Sequence, residues 1–221
     1  MGWGLFGKLP QKRDFLALGL PRAVLEPFEN WLQSAVAASR NQLGGGWQDR
    51  YLVAPIWRFW IGKDVFGTQC AGALMPSVDG VGRFFPLSIL WAADEGASIP
   101  CPLFEPRGDW YAAIEQRLLT VLDQEAAIVP ERLIEGLPAP EAAGAGPDPA
   151  ARPLRRGFGW QEEGPVDELM PRLIAADLFA ITPMRSYWWT QGGEGGKPMV
   201  YSHNALPDAV FFTTMINGEL A

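Results

Sequence analysis

The chain has 221 residues, a formal net charge of −7, 48% hydrophobic residues and 19% charged residues. That is enough apolar material for a buried core, which excludes wholesale disorder, and the length suits one domain. The acidic balance argues against nucleic acid as a partner, because the densest basic stretches (Lys8, Lys12, Arg13 and Arg152, Arg155, Arg156) are short and lack interleaved stacking aromatics.

Trp3–Leu9 reads as a short strand stopped by Pro10. Pro21 opens a helix in which Val24, Leu25, Phe28, Trp31, Leu32, Ala35 and Val36 recur on one face; Pro27 falls inside it and Gly44–Gly46 end it. Ala54–Ile61 is an aromatic-rich strand. Gly62, Lys63 and Asp64 then signal a turn, and Val65–Met75 reads as a second strand. After the loop Pro76–Arg83, the almost wholly apolar run Phe84–Ala92 reads as a strand buried on both faces. Asp109 is a candidate N-cap for a helix with Trp110, Ile114, Leu118, Val121 and Leu122 on one side. The Gly-, Ala- and Pro-rich stretch 136–153 reads as a flexible surface loop. A helix over Val166–Phe179, open to a break at Pro171, comes next. Two strands, Ser186–Gln191 and Met199–His203, follow around Gly192–Gly196, and a last helix begins after Pro207 and stops at Gly218.

Short connections between successive strands imply antiparallel pairing, and helices on both sides of the strand run imply a sheet covered on two faces. The expected fold is a single α/β domain over 1–221.

Few residues offer chemistry. Cys70 and Cys101 match no metal or redox spacing and read as buried thiols in a reducing compartment. Gly2, Gly4 and Gly7 satisfy G-x-G-x-x-G without the preceding strand and following helix that dinucleotide binding needs. His203 is the only histidine and has no G-x-S-x-G elbow to serve. The carboxylates Glu125, Glu131, Glu135, Glu162 and Glu163 read as solvated surface. No metal and no cofactor are expected. The N-terminus lacks the apolar stretch of a signal peptide, and no apolar run reaches the length of about 20 residues that a bilayer requires, so a cytoplasmic location without membrane insertion is expected.

The loop from Pro76 to Arg83 is the exception. Ser77, Asp79, Gly82 and Arg83 are open to two readings: an anion-binding nest or recognition loop, or a tight turn fixed by an Asp79–Arg83 ion pair. Lys8 and Asp14, on either side of Pro10, read as a second fixing pair. Trp188 and Trp189 are adjacent in one strand and must point to opposite faces, one to the core and one to a covering helix or a partner.

Several segments together resemble one family. They are Phe6-Gly7-Lys8-Leu9-Pro10 with Asp14-Phe15, Ala54-Pro55-Ile56-Trp57-Arg58-Phe59, Pro76-Ser77-Val78-Asp79 with Val81-Gly82-Arg83 and Phe85-Pro86-Leu87, Ser186 with Trp188 and Trp189, and Leu206-Pro207 with Phe211. In this order they are similar to TagF, also called ImpM, an accessory family of bacterial type VI secretion. Arg13 stands where the family usually has glycine, and Gly80 where it often has a basic or polar residue. The resemblance implies a three-layer α-β-α sandwich around a mixed, largely antiparallel sheet. It also implies a non-enzymatic, post-translational repressor that binds a scaffold protein with a forkhead-associated domain. The alternative is a hydrolase that holds a phosphate or other anion on the Asp79–Arg83 loop.

Overall fold

The computed structural model describes residues 2–123, 128–144, 146, 150–154, 157–193 and 196–218. Its centre is an open sheet of seven strands. In chain order these are β1 (Trp3–Gly7), β2 (Leu16–Leu18), β3 (Trp57–Ile61), β4 (Cys70–Met75) and β5 (Leu87–Ala92), then, after a separate hairpin of β6 (Arg152–Leu154) and β7 (Gly157–Gly159), β8 (Arg185–Thr190) and β9 (Met199–Asn204). The sheet order is β2-β1-β5-β4-β3-β8-β9. Every pairing is antiparallel, so no parallel pair mixes into the sheet.

The two faces follow from strand alternation. In β3, Trp57, Phe59 and Ile61 point into one core and Trp60 into the other. The first core lies under α1 (Arg22–Leu43), α2 (Trp47–Leu52) and, after the last strand, a helix at Phe211–Asn217. The second lies under the helix Gly108–Leu119, whose Tyr111, Ile114 and Leu118 are buried. Numbered in chain order with α3 (Lys63–Phe66), these last two are α6 and α4. Helix α5 (Val166–Ile181) meets the α4 side, where Phe179 stacks on Phe104 with ring centres 3.9 Å apart. Helices cover both faces, and the three-layer α-β-α arrangement stands. No helix among the described residues is long and apolar enough to cross a membrane.

Several element boundaries differ from expectation for local reasons. Residues 63–66 form a helical turn instead of the start of a strand, and Gly67, at φ 78°, ends it in the left-handed conformation that glycine accepts. The strand expected from Phe84 starts at Leu87, because Pro86 has no N–H to give a ladder; Phe84 makes only an isolated bridge to Val78. Asp109 is not the N-cap of α4. Arg107 is, and Asp109 sits in the first turn, where a carboxylate suits the helix dipole. Helices α1 and α5 run unbroken through Pro27 and Pro171. Strands β2, β6 and β7 and helix α2 were not expected. In the stretch 136–153, residues 145 and 147–149 lie outside the described residues, as do 194 and 195 between β8 and β9. The part of 136–153 nearest α4 is tied down: the indole N–H of Trp3 donates to the carbonyl of Leu137 at 3.1 Å and that of Trp110 to Pro138 at 2.9 Å.

Candidate functional site

Strand β1 ends at Gly7, and the next residue, Lys8, turns its side chain inward across the ring of Phe15, with Nζ 4.7 Å from the ring centre. Its ammonium does not reach Asp14, which is exposed. It lies 2.7 Å from Oδ2 of Asp79. The expected Lys8–Asp14 pair is therefore replaced by a pair between the β1 end and the loop after β4. The side chain of Asp14 stays in solvent while the way into the core is already filled by Lys8.

Asp79 organises that loop. Its Oδ2 also receives Nε of Arg83 at 2.6 Å, and its Oδ1 accepts the backbone N–H groups of Val81 at 3.0 Å and Arg83 at 2.8 Å. Its own N–H donates to the carbonyl of Arg83, and its carbonyl accepts from Gly82. The turn needs Gly82, at φ 83°, in a conformation that a side chain would strain. Gly80 is needed for closeness: a Cβ there would sit 3.0 Å from the Pro10 carbonyl oxygen, and its N–H donates to the carbonyl of Lys12 at 2.9 Å. Arg83 adds a hydrogen bond to the carbonyl of Arg13, so loop and N-terminal segment are laced together. Burial opposes charge on Asp79, whose side chain is fully covered, but the hydrogen bonds from Lys8, Arg83 and Val81 outweigh it and hold the carboxyl well below its ordinary range.

Ser77 closes the base of the loop. Its hydroxyl donates to the carbonyl of Lys8 at 2.7 Å, and its N–H donates to the hydroxyl of Tyr51 at 3.1 Å. Burial pushes the phenol of Tyr51 far above its ordinary value, so it remains a neutral donor and acceptor. Tyr51 comes from α2, an element too short to show periodicity, and sequence reading missed it.

The Asp79–Arg83 ion pair of the second reading is formed. Both cations that reach Asp79 are matched to it, and the carboxylate is closed off from any ligand. What the loop leaves outside is its rim: Val81, Gly82 and Arg83 are exposed, next to exposed Lys12, Arg13 and Phe15.

The other candidates lie elsewhere in the sheet. Trp188 is fully buried in the α1-side core, against Trp31 and Phe59 with ring centres 4.9 and 5.0 Å away. Its indole N–H donates to the hydroxyl of Ser186 at 2.9 Å, and that hydroxyl donates to the carbonyl of Ala205 at 2.5 Å. Both residues hold β8 in place, and Ser186 is paired across from His203. Trp189 points to the opposite face and packs on Tyr111 at 4.6 Å. There it lines a cleft of about 440 Å³ with Arg58, Tyr187, Met199 and Val200. Arg58 is buried and grips Glu115 of α4 by two hydrogen bonds of 2.7 Å. Among the described residues, the walls of this cleft hold no carboxylate, histidine, cysteine or serine. Among the described residues no group of three or more His, Cys, Asp or Glu is placed to hold a metal ion. The structure thus brings Lys8, Ser77, Asp79, Gly82 and Arg83 together, places Asp14 beside them between Arg13 and Phe15 with its side chain exposed, and leaves Ser186, Trp188 and Trp189 apart.

Residues 4–135, which include all but the first residue of β1, β2 to β5, α4 and the whole Lys8–Asp79–Arg83 cluster, match the model of the TagF N-terminal domain, described as type VI secretion system-associated. The chain belongs to the TagF family. It is a type VI secretion-associated protein by that membership. Among solved structures it is similar to PA0076 from Pseudomonas aeruginosa PAO1, a crystal structure at 2.05 Å resolution, with 30% sequence identity and a TM-score of 0.81 over 99% of this chain and 96% of that one. Curated protein sequences give no match. The TagF match ends before α5, β8 and β9, so Ser186, Trp188 and Trp189 lie outside it, whereas the likeness to PA0076 runs through them.

Proposed function

We propose that this TagF-family chain is a non-enzymatic regulator of type VI secretion. It represses the machine after translation by binding a cytoplasmic scaffold protein with a forkhead-associated domain, and the Pro76–Arg83 loop is part of the contact. The observation that carries the reading is the lacing of that loop by Asp79. A rim held by six hydrogen bonds to or from Asp79 offers Val81 and its cationic neighbours with little ordering entropy left to lose on binding. The hydrolase alternative needs the same loop to hold an anion, but the charge of Arg83 is already matched by Asp79.

Titration calorimetry of the purified protein against the scaffold encoded in the same genome tests this. Micromolar or tighter binding is expected, weakened about tenfold or more by Val81→Asp, a change at an exposed position. Absence of binding by folded protein overturns the regulatory reading. Binding indifferent to Val81→Asp moves the contact off the loop.

A further inference from the structure

Helix α5 has sixteen residues, a large apolar share, and only one buried residue, Ala176. Its Val166, Met170, Leu173 and Ile174 are spaced i, i+4, i+7 and i+8, so they fall on one face. All four are exposed, at 62, 52, 37 and 61%. The inner side is turned toward the domain through Ala176 and Phe179, so the stripe is not a misjudged core face. An amphipathic helix draws most of its stability from packing of its apolar face, and here that face is in water.

The charges that α5 itself carries beside the stripe are carboxylates. Asp167 lies three residues before Met170 and Asp177 three residues after Ile174, which puts a carboxylate at each end of the same face; Glu163 stands one turn before Val166. Asp167 and Asp177 are exposed and make no ion pair among the described residues. The cation of α5, Arg172, is turned away to Glu162 and the ring of Trp160. A second copy of the chain on this face would set carboxylates against carboxylates. An anionic lipid surface would be repelled in the same way.

We infer that the Val166–Met170–Leu173–Ile174 face of α5 is a docking surface for an amphipathic helix of a partner protein that carries lysine or arginine beside its apolar stripe. Apolar side chains of the partner cover the stripe, and its cations meet Asp167 and Asp177. The surface is distinct from the Pro76–Arg83 loop, and its test does not depend on scaffold binding.

The probe is a fluorescein-labelled, 18-residue leucine–lysine amphipathic helix titrated with the full chain and followed by anisotropy. A leucine–glutamate peptide of the same pattern is the sign control. Saturable binding of the lysine peptide is expected, with none of the glutamate peptide. Met170→Ser with Ile174→Ser, which leaves every charge in place, is expected to weaken binding about tenfold or more. Asp167→Asn with Asp177→Asn is expected to weaken it and to flatten its salt dependence. Because these positions are exposed, circular dichroism should show both variants folded. Lysine-peptide binding that ignores the serine pair is general attraction to an acidic protein and overturns the assignment, as does no binding at all. A dimer in sedimentation that the serine pair dissolves, or equal binding to phosphatidylserine vesicles, overturns it in favour of a second copy or a membrane.

Discussion

The ammonium of Lys8 and the carboxylate of Asp79 meet at 2.7 Å across 71 residues of chain, and neither is open to solvent. This contact joins the end of β1 to the loop after β4 and makes both parts of one rigid rim. A buried pair of this kind harms the fold far more when one partner is lost than it helps when intact. Asp79→Asn leaves the Lys8 ammonium covered and without an opposite charge, whereas Arg83→Gln removes a partner that is 57% exposed. Thermal unfolding should therefore show a much larger loss for Asp79→Asn than for Arg83→Gln. Equal losses would mean that Lys8 contributes little to holding the loop.

The same carboxylate sets an acid limit. Its folded-state value is depressed below the ordinary 3.8, so the unfolded chain takes up the proton first as pH falls. The stability it contributes is complete above about pH 4 and is withdrawn below that. Urea midpoints measured from pH 7 down to pH 3 should fall more steeply for the natural protein than for Asp79→Asn, so that the two curves converge on the acid side. Parallel curves would show that Asp79 is not the group responsible.

The two thiols give a chemical test of the core. Both cysteines are free and buried, and burial pushes the thiol of Cys70 up to about 12 and that of Cys101 up to about 11. The thiolate is the reactive form, so almost none is present at pH 8. A disulfide reagent such as Ellman's should label neither residue in the native protein and both in urea. Prompt native labelling of Cys101, at the edge of the α4-side core, would show that this side opens.

At β8, Ser186→Ala removes the acceptor of the Trp188 indole N–H and leaves that group buried and unpaired, at a cost of about 1–3 kcal/mol. Trp188→Ala also empties the space between Trp31 and Phe59, at roughly 3–5 kcal/mol. Urea unfolding should rank the two in that order.

How much of this was legible in the sequence depends on distance along the chain. The strand at Trp3, the face of α1 and the β8–β9 hairpin announce themselves through local periodicity, and so did the Asp79–Arg83 pair, four residues apart. The alternation of Trp188 and Trp189 placed them on opposite faces correctly. For Lys8 the sequence points to the nearest carboxylate, Asp14, because it offers no measure of which distant strand end will arrive beside it. Tyr51 was missed because α2, with Gln48, Asp49 and Arg50 between its two buried rings, is too short to carry a helical repeat. For α5 the repeat predicted the helix well enough, but an apolar face looks the same in a sequence whether the domain covers it or a partner does.

Arg58 and Glu115 show the same blindness at 57 residues and give the sharpest energetic test. Arg58 rises from β3 into the α4-side layer, 8% exposed in its side chain, and fastens α4 to the sheet through both oxygens of Glu115. The ring of Tyr111 lies alongside the guanidinium, with 5.8 Å from Cζ to the ring centre. Glu115→Gln leaves a buried cation with half its acceptors and no opposite charge, and should cost roughly 3 kcal/mol, the lower end of what breaking such pairs costs, since Glu115 keeps some contact with water. Arg58→Met should cost less, because the exposed end of Glu115 can turn to solvent. The double change Arg58→Met with Glu115→Leu removes both charges and fills the space with apolar atoms, so it should recover most of the loss. Urea unfolding of the natural protein and the three variants ranks them. If Glu115→Gln costs little, the pair is not what fastens α4 and the packing of Ile114 and Leu118 holds it; if the double variant is no more stable than Glu115→Gln, apolar packing does not replace the two hydrogen bonds of the pair.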